Sequence, residues 1–577
     1  MELDPRQQLH LKLRKYYAFN AVLHQVIQPL SFSHEDYFER ACWTCFHGYC
    51  QSGISYFFSV FDDLNYDEYS FLPKAAANRI LLRNCIEANL LLNVFINKPH
   101  LATKYYSTLP SDQERIAGLY TLQTQEDTDE EDEGMEKRRF IKRFSWLPRI
   151  KGKKANTMND LLNYVDFDSD SQKDYYRIII RNFDTYIHPS FHFAKAIAEN
   201  YDDGNVDNIL AMFIDEGLLY ESAYNILSAL HDVYQERIPI NAYRMLETLL
   251  THDEVADAST LPLPFRHVME APEPLEDDVL LATAFHTFHL QQAYQKQRLR
   301  QPEQIQGVAY IIGMSSLYVQ RDGPVSFKGK YIGYLLQDLS PRYDDLLSAF
   351  YQGNAMMFYA QARYIIEAMS ILNLLAIEDN NRAFIYGVHQ KIKGYEAKAS
   401  AIEFLRRNIE QIEDAADADL AREYQRDIQI VQRYYRDLFQ QEIEDTTILR
   451  LNGWALYLKG KDNDQVPNSP YFVHMLAEIM PDDQVEAVTA YLLGFYEESN
   501  AFTHVTPYAF DKNAKDERMT DAMLLINELM RRVMLRIIDT FSLSQSLTKP
   551  EAEEVERLFF FPLQQMQQIY SARRVLH

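Results

Sequence analysis

The chain has 577 residues, 47% of them hydrophobic, which gives it the length for two to four domains and enough apolar side chains for large buried cores. Its formal net charge of −25 excludes broad coating of DNA or RNA, because phosphate contacts need local positive charge. Four cysteines argue against a disulfide scaffold and fit a reducing cytoplasm, while scarce Gly and Pro among abundant Leu, Ala, Gln, Glu and Tyr predict an all-α chain.

No run approaches the roughly 20 apolar residues of a membrane span. The opening Met-Glu-Leu-Asp-Pro-Arg lacks the apolar region of a secretory signal. In chain order, apolar spacing predicts amphipathic helices over about 6–28, 34–62 and 74–97. A polar stretch follows. In it an acidic run from Gln125 to Glu136 passes into Lys137, Arg138, Arg139, Lys142, Arg143, Arg149, Lys151, Lys153 and Lys154. This is either a solvated loop whose acidic part shields the basic one, or a phosphate-binding patch under an acidic lid.

A helix from Asp174 to about Ala198 comes next, then a helical pair or one long bent helix from Asp207 to about Glu236. Leu261-Pro262-Leu263-Pro264 and Ala271-Pro272-Glu273-Pro274 place a linker at about 252–276. Beyond a helix at 277–298, Asp322-Gly323-Pro324 and Lys328-Gly329-Lys330 predict a turn or short hairpin over 320–332. A helix over 345–376, a charged insertion over about 378–445 with the pattern of an antiparallel helical hairpin, and helices over 483–504, 520–541 and 550–573 complete the chain.

The chain also repeats itself. Arg83-Asn84-Cys85-Ile86-Glu87-Ala88, then Leu92-Asn93, recurs as Arg363-Tyr364-Ile365-Ile366-Glu367-Ala368, then Leu372-Asn373. Trp146 with Lys151-Gly152-Lys153 recurs as Trp454 with Lys459-Gly460-Lys461. Asp184-x3-His188-Pro189-Ser190 recurs as Asn500-x3-His504-Val505-Thr506. The offsets grow slowly, 280, 308 and 316 residues. The expected organisation is two tandem, duplicated helical bundles: a first over 1–251, a linker and connecting helix over 252–339, and a second over 340–577 that carries the helical insertion.

Arg83 and Glu87 share one helical face with Leu90 and Val94, where a charge is costly unless satisfied. Arg before Glu is also the weaker order for a local pair, so these residues are expected to reach other helices. They form either a buried network that pins the register of the bundle or a charged pocket that orients a ligand or catalytic group. The same holds for Arg363 and Glu367.

Arg177, Arg181, Asp184 and His188 fall on one narrow helical face. Asp184 could orient His188, and Arg181 could hold a phosphate by bidentate hydrogen bonds. A proton-moving histidine beside an arginine that stabilises an oxyanion suits phosphodiester cleavage without metal. At the corresponding positions the second copy has Leu493, Glu497, Asn500 and His504, so chemistry is expected in the first. The alternative is that His188 and His504 are satisfied core histidines bonded to Glu87 and Glu367. Cys42-x2-Cys45-x-His47-x2-Cys50 has zinc-ligand side chains without zinc-ligand geometry on a helix, so no metal and no cofactor is expected, and buried small residues at a helix interface are. No phosphate loop, dinucleotide fingerprint or nucleophile elbow is present.

Arg181-Asn182-x5-His188 resembles the Arg-x4–6-His signature of the HEPN superfamily. Arg-x3-Glu-Ala on one helix, a tryptophan ahead of a Gly/Lys turn, and His-Pro-Ser on a later helix are similar to a bacterial domain family of unknown function with a HEPN-like bundle. The resemblance covers about 34–236 and 340–541. It implies a metal-independent ribonuclease of a defence or toxin system, with Arg181 and His188 catalytic, Asn182 supporting, and the site where two bundles meet. Glu497 and Glu498 stand where Arg and Asn are expected in the second copy. The RNA backbone would be held by Arg177 or by Arg138, Arg139, Lys142, Arg143, Lys151 and Lys153. Expected partners are thus RNA, a protein from the same operon or a second copy of the chain, and no membrane. The rival expectation is a non-catalytic scaffold or sensor that docks a protein partner. A further one is a small-ligand module using the Arg83/Glu87 and Arg363/Glu367 pockets.

Overall fold

The computed structural model describes residues 5–30, 36–61, 79–121, 144, 146–148, 157–189, 206–253, 263–298, 312, 326–408, 415–459, 466–510 and 516–541. The fold is all-α, and no strand occurs among the described residues. Helices run over Pro5–Ile27 (α1), Tyr37–Phe61 (α2), Arg79–Asn97 (α3), Pro99–Tyr106 (α4), Leu109–Thr121 (α5) and Met158–Leu161 (α6). They continue over Asp170–Ile187 (α7), Val206–Tyr234 (α8), Ile240–Thr251 (α9), Phe265–Met269 (α10), Asp277–Arg298 (α11), Phe327–Gln352 (α12) and Ala355–Ile377 (α13). The remainder are Asn380–Asn408 (α14), Ala415–Phe439 (α15), Asp445–Ile448 (α16), Ser469–Ala477 (α17), Val485–Phe502 (α18) and Asp516–Thr540 (α19).

Local chemistry sets the boundaries that matter for the site. The side chain of Ser169 caps α7 by accepting from the Gln172 amide at 3.2 Å. At its other end α7 stops at Ile187, and His188 is extended, with φ −109° and ψ 143°. Pro189 explains this, since the residue before a proline is driven out of the helical region. The sequence pattern carried this helix on through His188, so the imidazole belongs to a helix end and not to a helix face.

Two other expectations change. Lys328-Gly329-Lys330 lies in the first turn of α12 and not in a hairpin, because Ser326 caps that helix by accepting from the Gly329 amide at 3.2 Å. Asp322, Gly323 and Pro324 lie outside the described residues. The helix expected over 345–376 is two helices. Gly353 ends α12 in the left-handed region at φ 67°, and the side chain of Asn354 caps α13 by accepting from the Met357 amide at 3.2 Å. The charged insertion does form two long helices packed on each other, α14 and α15.

Trp146 packs against Phe95 and Tyr105 with ring centroids 5.8 and 5.5 Å apart, and Trp454 against Tyr386 and Phe472 at 4.8 and 5.8 Å. One cluster of buried apolar side chains runs from Leu13 in α1 to Ile538 in α19. Leu280, Leu281 and Phe285 of α11, from the stretch expected to connect two bundles, belong to it. A smaller cluster lies under the insertion, with Ile385, Val388, Ile428, Val431, Tyr435 and Phe439.

Helices α3 and α13 are the central supports. α3 packs on α2 and α8, and α13 on α12, α18 and α19. By length and composition α3 is apolar enough to cross a membrane, but 83% of its most apolar window is buried inside the protein. Among the packings that join the early and late parts of the chain, α7, which also lies on α3, packs on α14, and α5 packs on α18.

Gly353 at φ 67° is the hinge between α12 and α13. Gly353→Ala is expected to lower unfolding free energy by about 1 kcal/mol or more, because a Cβ is strained in that region. Urea titration of the full chain measures this, and an unchanged midpoint would contradict it.

Candidate functional site

The site begins with four charges on two apolar helices. Arg83 and Glu87 are buried in α3, and Arg363 and Glu367 in α13. A buried carboxylate without partners would cost several kcal/mol. Each glutamate finds its histidine in a distant part of the sequence.

His188, just past the end of α7, donates from Nδ1 to Glu367 Oε2 at 2.8 Å. Glu367 Oε1 accepts from the Tyr496 hydroxyl at 2.6 Å and lies 3.5 Å from Arg363 Nε. Arg363 Nη1 donates to Thr503 Oγ1 at 3.1 Å, and its guanidinium lies 5.5 Å from the Tyr496 ring centroid. Burial alone would raise the Glu367 carboxyl. The charge and hydrogen bond of His188, the charge of Arg363 and the hydrogen bond from Tyr496 outweigh it and hold the group at about 2. Burial disfavours the Arg363 cation, but Tyr496 and Glu367 hold its pKa above the ordinary value.

The opposite pairing is made by His504, two residues beyond the end of α18. Its Nδ1 lies 3.3 Å from Glu87 Oε2 and 3.3 Å from Arg83 Nη1. The neighbouring backbone is seated as well. Asn84 Nδ2 donates to the Phe502 carbonyl at 3.5 Å, and the Tyr105 hydroxyl donates to the Val505 carbonyl at 2.7 Å. Because Thr503 meets Arg363 while His504 meets Arg83 and Glu87, the two pairs join into one polar seam between α3 and α13.

The two histidines are not equivalent. His188 has one short acceptor on Nδ1, which fixes the proton there and leaves Nε2 as the basic nitrogen. His504 Nδ1 faces an acceptor and an obligate donor at equal distance, and one nitrogen cannot serve both in a single tautomer. The His188 side chain is 25% exposed and that of His504 is 12%. The partly open, singly held imidazole is therefore His188.

Other residues expected at the site are placed differently. Arg181 is exposed on α7. Arg177 pairs with Asp174 at 2.5 Å, and both are near 40% exposed (39% and 42%). The side chains of Asn182 and Asp184 lie outside the described residues, as do Arg138, Arg139, Lys142, Arg143, Lys151 and Lys153. Cys42, Cys45, Cys50 and Cys85 are buried where α2 meets α3, and burial pushes all four thiols up. Among the described residues no group of His, Cys, Asp and Glu is placed to hold a metal ion.

Sequence reasoning missed the tyrosines. Tyr496 completes the Glu367 cradle, and a second buried carboxylate, Glu498, is bound by three donors. It accepts from Tyr120 at 2.7 Å, Tyr508 at 2.8 Å and Arg518 Nη1 at 2.8 Å. Tyr120 lies on α5, so this cradle ties α5 to α18. The available signal was Glu497-Glu498 in the strongly apolar stretch 485–502, where an unpaired acid would be costly.

Glu367 ordinarily titrates near 4.5 and is held near 2 in the fold. Its contribution to stability is therefore present above pH 4.5 and is lost as pH falls from about 4.5 toward 2. Glu367→Gln is expected to flatten that part of the stability–pH curve, measured by urea unfolding at stepped pH. An identical acid limb in both proteins would contradict the assignment.

Comparison with protein-family models, curated proteins and solved structures finds no match for this chain.

Proposed function

We propose that this chain is a metal-independent endoribonuclease with HEPN-like helical architecture, acting in the cytoplasm in a bacterial defence or toxin setting. One observation carries the reading: a carboxylate–histidine pair, Glu367 Oε2 to His188 Nδ1 at 2.8 Å, on a partly exposed imidazole. Holding Nδ1–H on a buried carboxylate fixes the tautomer and leaves Nε2 as the basic nitrogen of a partly exposed ring, the state a general base needs.

In the proposed reaction Nε2 of His188 takes the proton of an RNA 2′-hydroxyl. The 2′-oxygen attacks the adjacent phosphorus, the P–O5′ bond breaks, and the proton passes from His188 to the departing 5′-oxygen. The products are a 2′,3′-cyclic phosphate and a 5′-hydroxyl. Exposed Arg181 on α7, the helix that leads to His188, supplies the guanidinium for the phosphate. The recurring motifs are read as a duplication whose copies have exchanged partners, so the active pair is composite, with its histidine from the first copy and its glutamate from the second.

A second reading is favoured by the closed pair. His504, Glu87 and Arg83 are almost entirely buried, as a purely structural pin would be. On that reading the protein is a scaffold that docks a protein partner or a second copy of itself.

The deciding assay is cleavage of a labelled RNA in EDTA. Wild type is expected to cut. His188→Ala and Arg181→Ala are each expected to lose about 10²–10⁴-fold in rate, and Glu367→Gln is expected to shift the pH–rate profile. His504→Ala should retain cleavage in proportion to the folded fraction. No cutting by wild type, or equal cutting by His188→Ala, rejects the enzyme in favour of the scaffold.

A further inference from the structure

The insertion carries a feature that neither pairing uses. On α15, Arg422, Arg426, Gln429, Arg433 and Arg436 follow one another at steps of 4, 3, 4 and 3 residues. That spacing puts them in a single row along the helix. All five are exposed. From the first to the last the row spans about 21 Å, at 1.5 Å per residue. The opposite face is the one that holds the helix in place: Ile428, Val431, Tyr435 and Phe439 are buried in the small cluster under the insertion.

The row is selective in composition. Every cation on α15 is an arginine and none is a lysine. The neighbouring acids are partly engaged elsewhere: Glu423 accepts from the Tyr395 hydroxyl at 2.8 Å, and Asp427, 3.6 Å from Arg426 Nε, is buried. Arg436 pairs with Glu442 at 3.1 Å, but those side chains are 47% and 74% exposed, and such a pair exchanges readily in water. The four guanidiniums are thus gathered on one face of a helix whose five acids lie off the row, on a chain of net charge −25.

Two polyanions would complement it: the phosphates of a nucleic acid or an acidic protein helix. A protein partner needs apolar anchors at the centre of the contact. The row offers none, and among the described residues of this helix the one large apolar side chain that is exposed is Leu438, near its end. Phosphates need only planar donors and charge, which guanidinium supplies in bidentate form. We propose that the arginine row of α15 is a docking surface for the phosphate backbone of single-stranded RNA. This rests on the ribonuclease reading above and adds a backbone-holding surface on the insertion, apart from the basic run at 137–154. The insertion is also mechanically joined to the site, because α14 packs on both α15 and α7, and α7 leads directly to His188.

The test is fluorescence anisotropy of the full chain with a labelled 2′-O-methyl RNA of 20 nucleotides, which binds but lacks the attacking hydroxyl. The variants replace all four arginines, as R422Q/R426Q/R433Q/R436Q and as R422K/R426K/R433K/R436K. The glutamine set is expected to weaken binding at least 10-fold. It should also lower the slope of log affinity against log salt by about 3, at about 0.7 for each single-strand phosphate that is no longer neutralised. Circular dichroism should be unchanged, and the lysine set should keep most of the salt slope. Wild-type affinity and slope in the glutamine set overturn the proposal while leaving the cleavage assay to judge the enzyme. Preference of the wild type for polyglutamate over RNA overturns it in favour of an acidic protein partner. A wild type that neither binds nor cuts RNA sinks the ribonuclease reading together with the docking surface.

Discussion

Two glutamates buried on apolar helices govern this structure. Glu87 and Glu367 sit where an uncompensated charge is prohibitive, and the chain resolves both in the same way. Each receives an imidazole from a helix end far away in sequence, and each imidazole lies on a segment that follows a different helix, α7 or α18. These contacts tie the end of α7 to α13 and the end of α18 to α3, and they stand beside the packing of α7 on α14 and of α5 on α18. The charged pairs do not merely decorate a finished core. They fix which helix end meets which buried acid, a choice that a uniform apolar surface leaves open.

Much of the fold was legible because helices announce themselves locally. The 3.6-residue apolar period located α1, α2, α8 and α11 to within a few residues, and the charged span at about 378–445 was legible as a helical hairpin without the bounds of its two helices. Boundaries failed where a single residue outweighed the period. Pro189 ends α7 before His188, Gly353 splits what reads as one helix, and Ser326 starts a helix where two glycines and a proline had pointed to a turn. The recurring Arg-x3-Glu motif marked charged residues that prove to be buried, and their weak local orientation implied partners from elsewhere in the chain, which His188 and His504 supply. The pairing of His188 with Glu367, and of His504 with Glu87, was open because sequence periodicity carries no information about which distant segments meet. Tyr496 and Tyr120 were missed for the same reason: a tyrosine in an apolar run reads as core, and only the placement of a carboxylate beside it turns its hydroxyl into a ligand.

The seam is symmetric in its parts and unequal in its geometry. Both arms contain Arg, Glu and His. In one, a single 2.8 Å hydrogen bond and a supporting tyrosine leave the histidine with one defined tautomer and a route to solvent. In the other, the histidine is caught at 3.3 Å between a donor and an acceptor and is nearly enclosed. A small change in how a helix end is presented therefore separates a group poised for proton transfer from one that serves as a fastener.

The span of the closing contact has a bearing on biosynthesis. Glu87 meets His504 across 417 residues of sequence. While a ribosome is making this protein, α3 leaves the exit tunnel long before His504 exists. Such a chain closes this contact, and the part of the core around it, late in folding.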